Sequence, residues 1–273
     1  MEKSTDQGKL VEKLAKALAA IEDDRVNSAS FLVSILDWSA PSTLGSLLTG
    51  PVVKTMRDAS QQSGILRGKD LGKIFALMRP NDLVWNYWVN NYLMGEQPAP
   101  FDVLAWNCDA TNLPAGLHSD FLDMAADNTL TKAGAVEVLD TPIDLQQVTC
   151  PTFVVGAVND HITPWQGCYQ TVNLTGGESE FVLSSQGHIQ ALVNPSGNPK
   201  GSYRLNPATP DTADEWLEDS TEHKGSWWDY WATWLEPQGG KLINPPTKLG
   251  SKANPVLAEA PGEYVAAPLP DVK

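Results

Sequence analysis

Two short apolar runs stand one helix apart in this chain, and that arrangement limits its fold more than any other feature. TFVVGAV (152–158) lies between Pro151 and Asp160, and SEFVLS (179–184) leads into SSQGH. Short, nearly continuous apolar runs bounded by polar residues suit strands buried on both faces of a parallel sheet. Between them Thr163 and Pro164 form a helix start, a capping hydroxyl followed by proline at the first helical position. The spacing predicts a helix through Trp165–Val172 that ends near Gly176–Gly177. Strand, helix, strand in this order is a parallel crossover, so the expected class is α/β. A further run, ASFLVSIL (29–36), ends before Asp37 and reads as another buried strand.

The rest of the chain changes texture. KLVEKLAKALAA (9–20) places Leu10, Leu14, Ala15 and Leu18 at helical spacing. From 40 to 145, Gly, Pro and Asn punctuate several helical stretches. The most periodic is NDLVWNYWVNNYLMG (81–95), with Leu83, Tyr87, Asn90, Asn91 and Met94 near one face. This block is expected to be a helical cap inserted between core elements. GSWWDYWATWL (225–235) offers Ser226 as an N-cap and Asp229 as its capping-box partner. Trp227, Trp231 and Trp234 share one face of that helix and are expected to pack in the core. The expected division is a core helix and strand at 1–39, the cap at 40–145, the second half of the core at 146–237, and a surface tail without regular structure at 238–273.

Charge narrows the partners. The chain has 19 Lys and Arg against 33 Asp and Glu, a net charge of −14. Phosphate neutralisation needs clustered cations, so nucleic acid is not the expected partner. No apolar run approaches the roughly 20 residues of a membrane helix. The charged, amphipathic start lacks the apolar stretch of a secretory signal. The 3 cysteines, Cys108, Cys150 and Cys168, show no metal-ligand spacing and fit a reducing cytoplasm. No metal is expected.

Asp160 and His188 form the sharpest chemical pair. Each follows the C-terminal end of an expected parallel strand, where ligands bind in open α/β sheets. Acid before histidine matches the chain order of α/β-hydrolase triads. There the imidazole takes a proton from a nucleophile, while the carboxylate fixes the tautomer and stabilises the imidazolium. Gly187 is expected to let the loop turn before the histidine. The competing reading is a surface Asp and a loop histidine. His161, beside Asp160, is a candidate for the pocket wall or a helix-flanking polar residue. His118 and His223 have no chemical arrangement around them. Trp38, Trp85, Trp88 and Trp106 suit an apolar channel and core packing equally well. The nucleophile is harder to place: no G-x-[S/C]-x-G elbow occurs. Each cysteine reads as a small apolar filler.

Several long motifs carry a resemblance: DHITPW (160–165), GHIQALVNP (187–195), GSWWDYWATWL (225–235), RPNDLVWNYWVNNYL (79–93) and PFDVLAWNCDATNLP (100–114). Together they resemble the polyhydroxyalkanoate synthases, most closely the class I type acting on 3-hydroxyacyl-CoA, from about residue 9 to about residue 266. The resemblance implies an α/β-hydrolase core with a helical cap and a Cys–Asp–His triad. Asp160 falls on the acid, His188 on the base, and His161 on a usual histidine without a firm role. It also implies a cap over 40–145 that gates the site and contributes to dimer contacts. The G-x-C-x-G-G elbow would fall on KSTDQG (3–8), where only Gly8 fits and Thr5, beside Ser4, takes the cysteine position.

The implied chemistry is thiol-templated acyl transfer, with 3-hydroxyacyl-CoA and the growing polyester as substrates and no cofactor. The primary expectation is the C-terminal part of a synthase catalytic domain, lacking its N-terminal strands and nucleophile and inactive alone. The alternatives are a non-catalytic short paralogue that binds a full synthase or the polymer granule, and a thioesterase or depolymerase on the same fold. Granule association and homodimerisation, in the cytoplasm that the cysteine usage already suggests, are what the same resemblance implies.

Overall fold

The computed structural model describes residues 26–78, 80–97, 110–138, 141–260 and 262–263. The helix expected at 9–20, Trp106 and Cys108 lie outside them. In chain order the first elements are β1 (Ala29–Leu32), α1 (Thr43–Leu47), α2 (Gly50–Ser63), β2 (Ile65–Leu66) and α3 (Gly68–Met78). Two π-helical segments follow, Asn81–Trp85 and Trp88–Leu93. Next come β3 (Leu113–Pro114), α4 (Ala115–Ala126), β4 (Glu137–Val138), β5 (Thr141–Pro142) and β6 (Thr152–Ala157). The C-terminal half holds α5 (Trp165–Tyr169), α6 (Thr171–Leu174), β7 (Ser179–Ser184), α7 (His188–Leu192), β8 (Ser202–Leu205), α8 (Ala213–Glu218), β9 (Thr221–Lys224) and α9 (Trp227–Leu235).

The main sheet runs β1-β6-β7-β8-β9. β1, β6 and β7 are parallel, with Leu32 opposite Val155 and Val155 opposite Val182. β8 and β9 continue it antiparallel. Side chains alternate along the central strands, so each face meets its own layer. Val154, Phe181 and Leu183 pack with Trp165, Cys168, Tyr169 and Trp216 on one face. Phe153, Val155 and Val182 pack with Trp227 on the other, with Tyr230, Trp231 and Trp234 against them. Fully burying one such side chain is worth about 1.5–3 kcal/mol, so the centre of the sheet carries much of the fold's stability. The tryptophan face expected at 227–234 lies against this second layer. No helix among the described residues is long and apolar enough to cross a membrane.

Several local expectations change. The strand expected over 29–36 ends at Leu32. Val33 has φ 45°, a left-handed value costly for a β-branched residue, and the chain leaves the sheet there. Its side chain stays buried against Ala157 and Ala191, which offsets that strain. The helix expected through 165–172 is divided at Gln170 into α5 and α6. Within the stretch 81–95 the helix is π-helical at Asn81–Trp85 and Trp88–Leu93, where its hydrogen bonds span five residues. Trp85, Trp88 and Tyr92 are exposed, with Trp88 stacked on Tyr92 at 4.4 Å. Ser226 does cap α9, accepting from the Trp228 amide at 3.0 Å. Asp229 does not complete the capping box; it accepts from Ser196.

The helices between Thr43 and Ala126 are joined to one another and to the sheet by polar ties. Arg57 of α2 pairs with Asp123 of α4. The Asn128 side chain accepts from the Trp38 amide at 2.9 Å and donates to Asp37 at 2.8 Å. This tie joins the residues just past β1 to those just past α4. Residues 238–260 form turns and extended chain without helix or strand, and Leu242, Ile243 and Leu257 are exposed.

Candidate functional site

The loops that follow β6 and β7 are stitched together before any side chain is considered. Val158 donates its amide to Ser184 O at 2.9 Å, and Asn159 donates its amide to Gln186 O at 3.2 Å. The Asn159 side chain adds a bond to Ser185 O at 2.9 Å. Parallel pairing therefore continues past both strand ends. It carries Asp160 and His188 to the same edge of the sheet.

There the His188 Nδ1 lies 2.7 Å from Asp160 Oδ2. The carboxylate is held from several directions. Oδ1 accepts the amides of Ile162 at 2.8 Å and Thr163 at 2.9 Å, and Oδ2 accepts the Thr163 hydroxyl at 2.6 Å. Burial pushes this carboxyl up, but the His188 and Thr163 hydrogen bonds outweigh it and hold it below the ordinary carboxylate value. An ionised Asp160 requires the proton of neutral His188 to sit on Nδ1, which leaves Nε2 with its lone pair. The carboxylate side chain is 0% exposed and the imidazole 22%. One partner is sealed and the other remains accessible, as a base and its orienting acid require.

Two details of this loop differ from expectation. The Thr163 hydroxyl does not cap the following helix; Pro164 takes that position, and Thr163 donates to Asp160 instead. Gly187 has φ −90°, open to any residue, so glycine is not needed there for the turn. His161 follows Asp160 and is half-buried.

The cysteines within the described residues are poorly placed for attack. Cys168 is fully buried on α5, with Sγ 3.8 Å from Thr163 O. Burial first, and the Asp160 charge second, push its thiol up to about 12. Such a thiol is inert near neutral pH. Cys150 precedes β6 at the N-terminal end of the sheet, and burial raises its thiol too. The length of β6, roughly 20 Å at strand rise, separates it from the Asp160 end.

A second histidine–hydroxyl pair lies in the helical block. His118 Nδ1 is 2.9 Å from Ser60 Oγ, and Ser60 donates to Arg57 O at 3.0 Å. Both side chains are buried, so this pair is a satisfied packing contact. His223 stacks on Tyr203 at 5.4 Å. A cleft of about 300 Å³ opens beside Trp38, Pro41, Ser42 and Leu48, and neither Asp160 nor His188 lines it. Among the described residues no group of His, Cys, Asp and Glu side chains is arranged to hold a metal.

Residues 14–195 match the alpha/beta hydrolase fold family. The chain is 45% identical over 247 residues to poly(3-hydroxyalkanoate) polymerase 1 of Ectopseudomonas oleovorans, covering 90% of this chain and 44% of that protein. It is 37% identical over 267 residues to the poly(3-hydroxyalkanoate) polymerase subunit PhaC of Cupriavidus necator, covering 95% and 45%. With the PhaC subunit of Rhizobium etli it shares 31% identity over 246 residues, covering 89% and 38%. The chain thus spans less than half the length of these curated relatives.

Proposed function

The chain belongs to the alpha/beta hydrolase fold family, and from that premise we propose that it carries the acid and base of a poly(3-hydroxyalkanoate) polymerase-type acyl transfer. The observation that carries the reading is the His188–Asp160 contact of 2.7 Å at adjoining parallel strand ends. The likeness to curated polymerases over 90% of the chain supplies the substrate class.

In this reading a cysteine thiol gives its proton to His188 Nε2, and the buried Asp160 carboxylate stabilises the imidazolium. The thiolate attacks the thioester carbon of a 3-hydroxyacyl-CoA. The new sulfur–acyl bond forms as the bond to CoA breaks, and His188 returns the proton to the departing CoA thiolate. The hydroxyl of a second acyl unit then gives its proton to His188 and attacks the acyl-enzyme. An ester forms, and the released cysteine sulfur recovers the proton. Asp160 is unsuited to act on that hydroxyl directly, because His188, Thr163 and the Ile162 amide already occupy its oxygens.

No G-x-C-x-G run occurs in the 273 residues, so we assign the thiol to a polypeptide segment outside them. The same reading makes 40–145 a cap over the site and places the protein in the cytoplasm at the polymer granule surface. A homodimer, or a pairing with a full-length synthase, belongs to this reading as well.

The test is CoA release from 3-hydroxybutyryl-CoA. The chain alone should stay at background. Joining a G-x-C-x-G-G segment from a curated relative ahead of residue 9 should raise release well above it. A joined protein that stays at background contradicts the reading. So does turnover by the chain alone that survives replacement of Cys108, Cys150, Cys168, Ser4 and Thr5.

A further inference from the structure

The helix that begins with His188 ends on a carbonyl that its own backbone cannot satisfy. In an α-helix the Ala191 carbonyl accepts from residue 195, and here residue 195 is proline, which has no N–H. The donor comes from a distant segment: the Trp227 indole N–H reaches Ala191 O at 2.7 Å. Trp227 is the first residue of α9 and is 1% exposed. Its neighbour Ser226 donates to Asn194 O, just past the same helix end. Both bonds join the N-terminus of α9 to the far end of α7.

α9 is itself anchored to the sheet. The Trp231 indole donates to Ser30 Oγ at 3.0 Å, and the Tyr230 hydroxyl donates to Glu180. Trp227 packs against Phe153 of β6 with ring centroids 6.2 Å apart. The imidazole therefore sits on a helix of 5 residues, far too short to hold its shape alone. That helix is tied at its open end to an element fixed on the sheet.

We propose that Trp227 is a positioning residue for His188. Its indole N–H closes α7 and so keeps the imidazole aligned with Asp160. The inference rests on the proposed acid–base roles of that pair for its functional meaning, but its test needs no substrate.

The experiment uses the full chain with Trp227→Phe and, as control, Trp231→Phe. Each variant removes one indole N–H from the same helix, but Trp231 bonds to β1 and not to α7. Two quantities are read by NMR: the His188 Nδ1–H resonance, observable while the ring is held on Asp160, and the amide exchange rates of Ala191 and Val193. Trp227→Phe should weaken or abolish the imidazole resonance and speed those amides about tenfold, the effect of one orphaned carbonyl. Trp231→Phe should leave the resonance in place and the rates within about twofold. Equal effects of the two variants, or none from Trp227→Phe, overturn the proposal.

If Trp227→Phe fails to fold, 3-benzothienylalanine at 227 keeps the ring shape and replaces N–H by sulfur. An unchanged His188 resonance in that protein also overturns the proposal, and its loss supports it. A negative outcome here leaves the CoA-release result standing, and a failed CoA-release assay leaves this one standing.

Discussion

Asp160 shows how a buried charge is kept at this sheet edge. Its side chain has no exposure, a condition that favours the neutral acid. The hydrogen bonds from His188 and Thr163 and the adjacent imidazole reverse that preference and leave the carboxyl easier to ionise than in the unfolded chain. Its contribution to stability is therefore complete above the unfolded value near ~4 and is lost as pH falls through the lower folded value. Asp160→Asn should lower stability near neutral pH by about 1–3 kcal/mol, since it misaligns a buried network. Thermal unfolding of the two proteins across pH checks this. Their melting temperatures should differ at neutral pH and converge as the pH falls through the lowered folded carboxyl value. A gap that persists unchanged into acid would contradict the ionised, hydrogen-bonded Asp160. The Thr163 hydroxyl belongs to the same network, although its place before Pro164 predicts helix capping. A threonine before a proline carries both signals, and only the folded loop shows which acceptor it finds.

At the scale of elements, β6 is the strand on which the site depends, and its packing leaves little slack. A Cβ at Gly156 would lie 2.9 Å from Phe181 Cζ and 3.0 Å from Trp165 Cβ. Phe181 cannot easily withdraw, because Tyr169 and Trp216 meet it edge-on at 5.1 Å and 4.8 Å. Gly156→Ala should cost about 1–3 kcal/mol by overpacking, read as a lower urea midpoint with unchanged slope. A midpoint at or above that of the parent would show that the layer can yield. β6 and β7 were legible in the sequence because burial on both faces makes them continuous apolar runs. β8 and β9 were not legible: SYRL and TEHK are polar and partly or fully exposed, and β9 pairs with β8 alone. α8 did leave a signal, since Thr212 and Glu215 carry the capping-box pattern and Thr212 accepts the Glu215 amide, but it lies in a short polar stretch. The π-helical segments were unreadable for a different reason. Apolar spacing near 3.6 indicates a helix but not that its hydrogen bonds span five residues.

Across the whole molecule, contacts between segments far apart in sequence decide where the chemistry sits, and these leave no periodic trace. The Asn128 tie to Asp37 and Trp38 spans about 90 residues of chain and joins the residue just past α4 to the loop that follows β1. Asn128 holds a left-handed backbone, φ 50°, that asparagine tolerates better than most residues. Asn128→Ala should cost about 2–4 kcal/mol, from the orphaned Trp38 amide and the less suitable backbone together. Asn128→Gly should recover part of that loss, because glycine accepts the backbone but not the hydrogen bonds. Urea unfolding of the two variants separates the terms, and equal losses would deny the backbone its share. The chain order of Asp160 and His188 suggested a shared pocket. The distance between them, the loop that joins them and the tryptophan behind them emerged only once the strands were paired.

In the reaction we propose, His188, aligned by Asp160, is the base for acyl transfer. Single-turnover CoA release from 3-hydroxybutyryl-CoA, by the chain joined to a G-x-C-x-G-G segment with and without His188→Gln, decides that role. Loss of the base should slow release by about 10²–10⁴-fold while the fold is retained. Release within a few-fold of the parent would contradict the account.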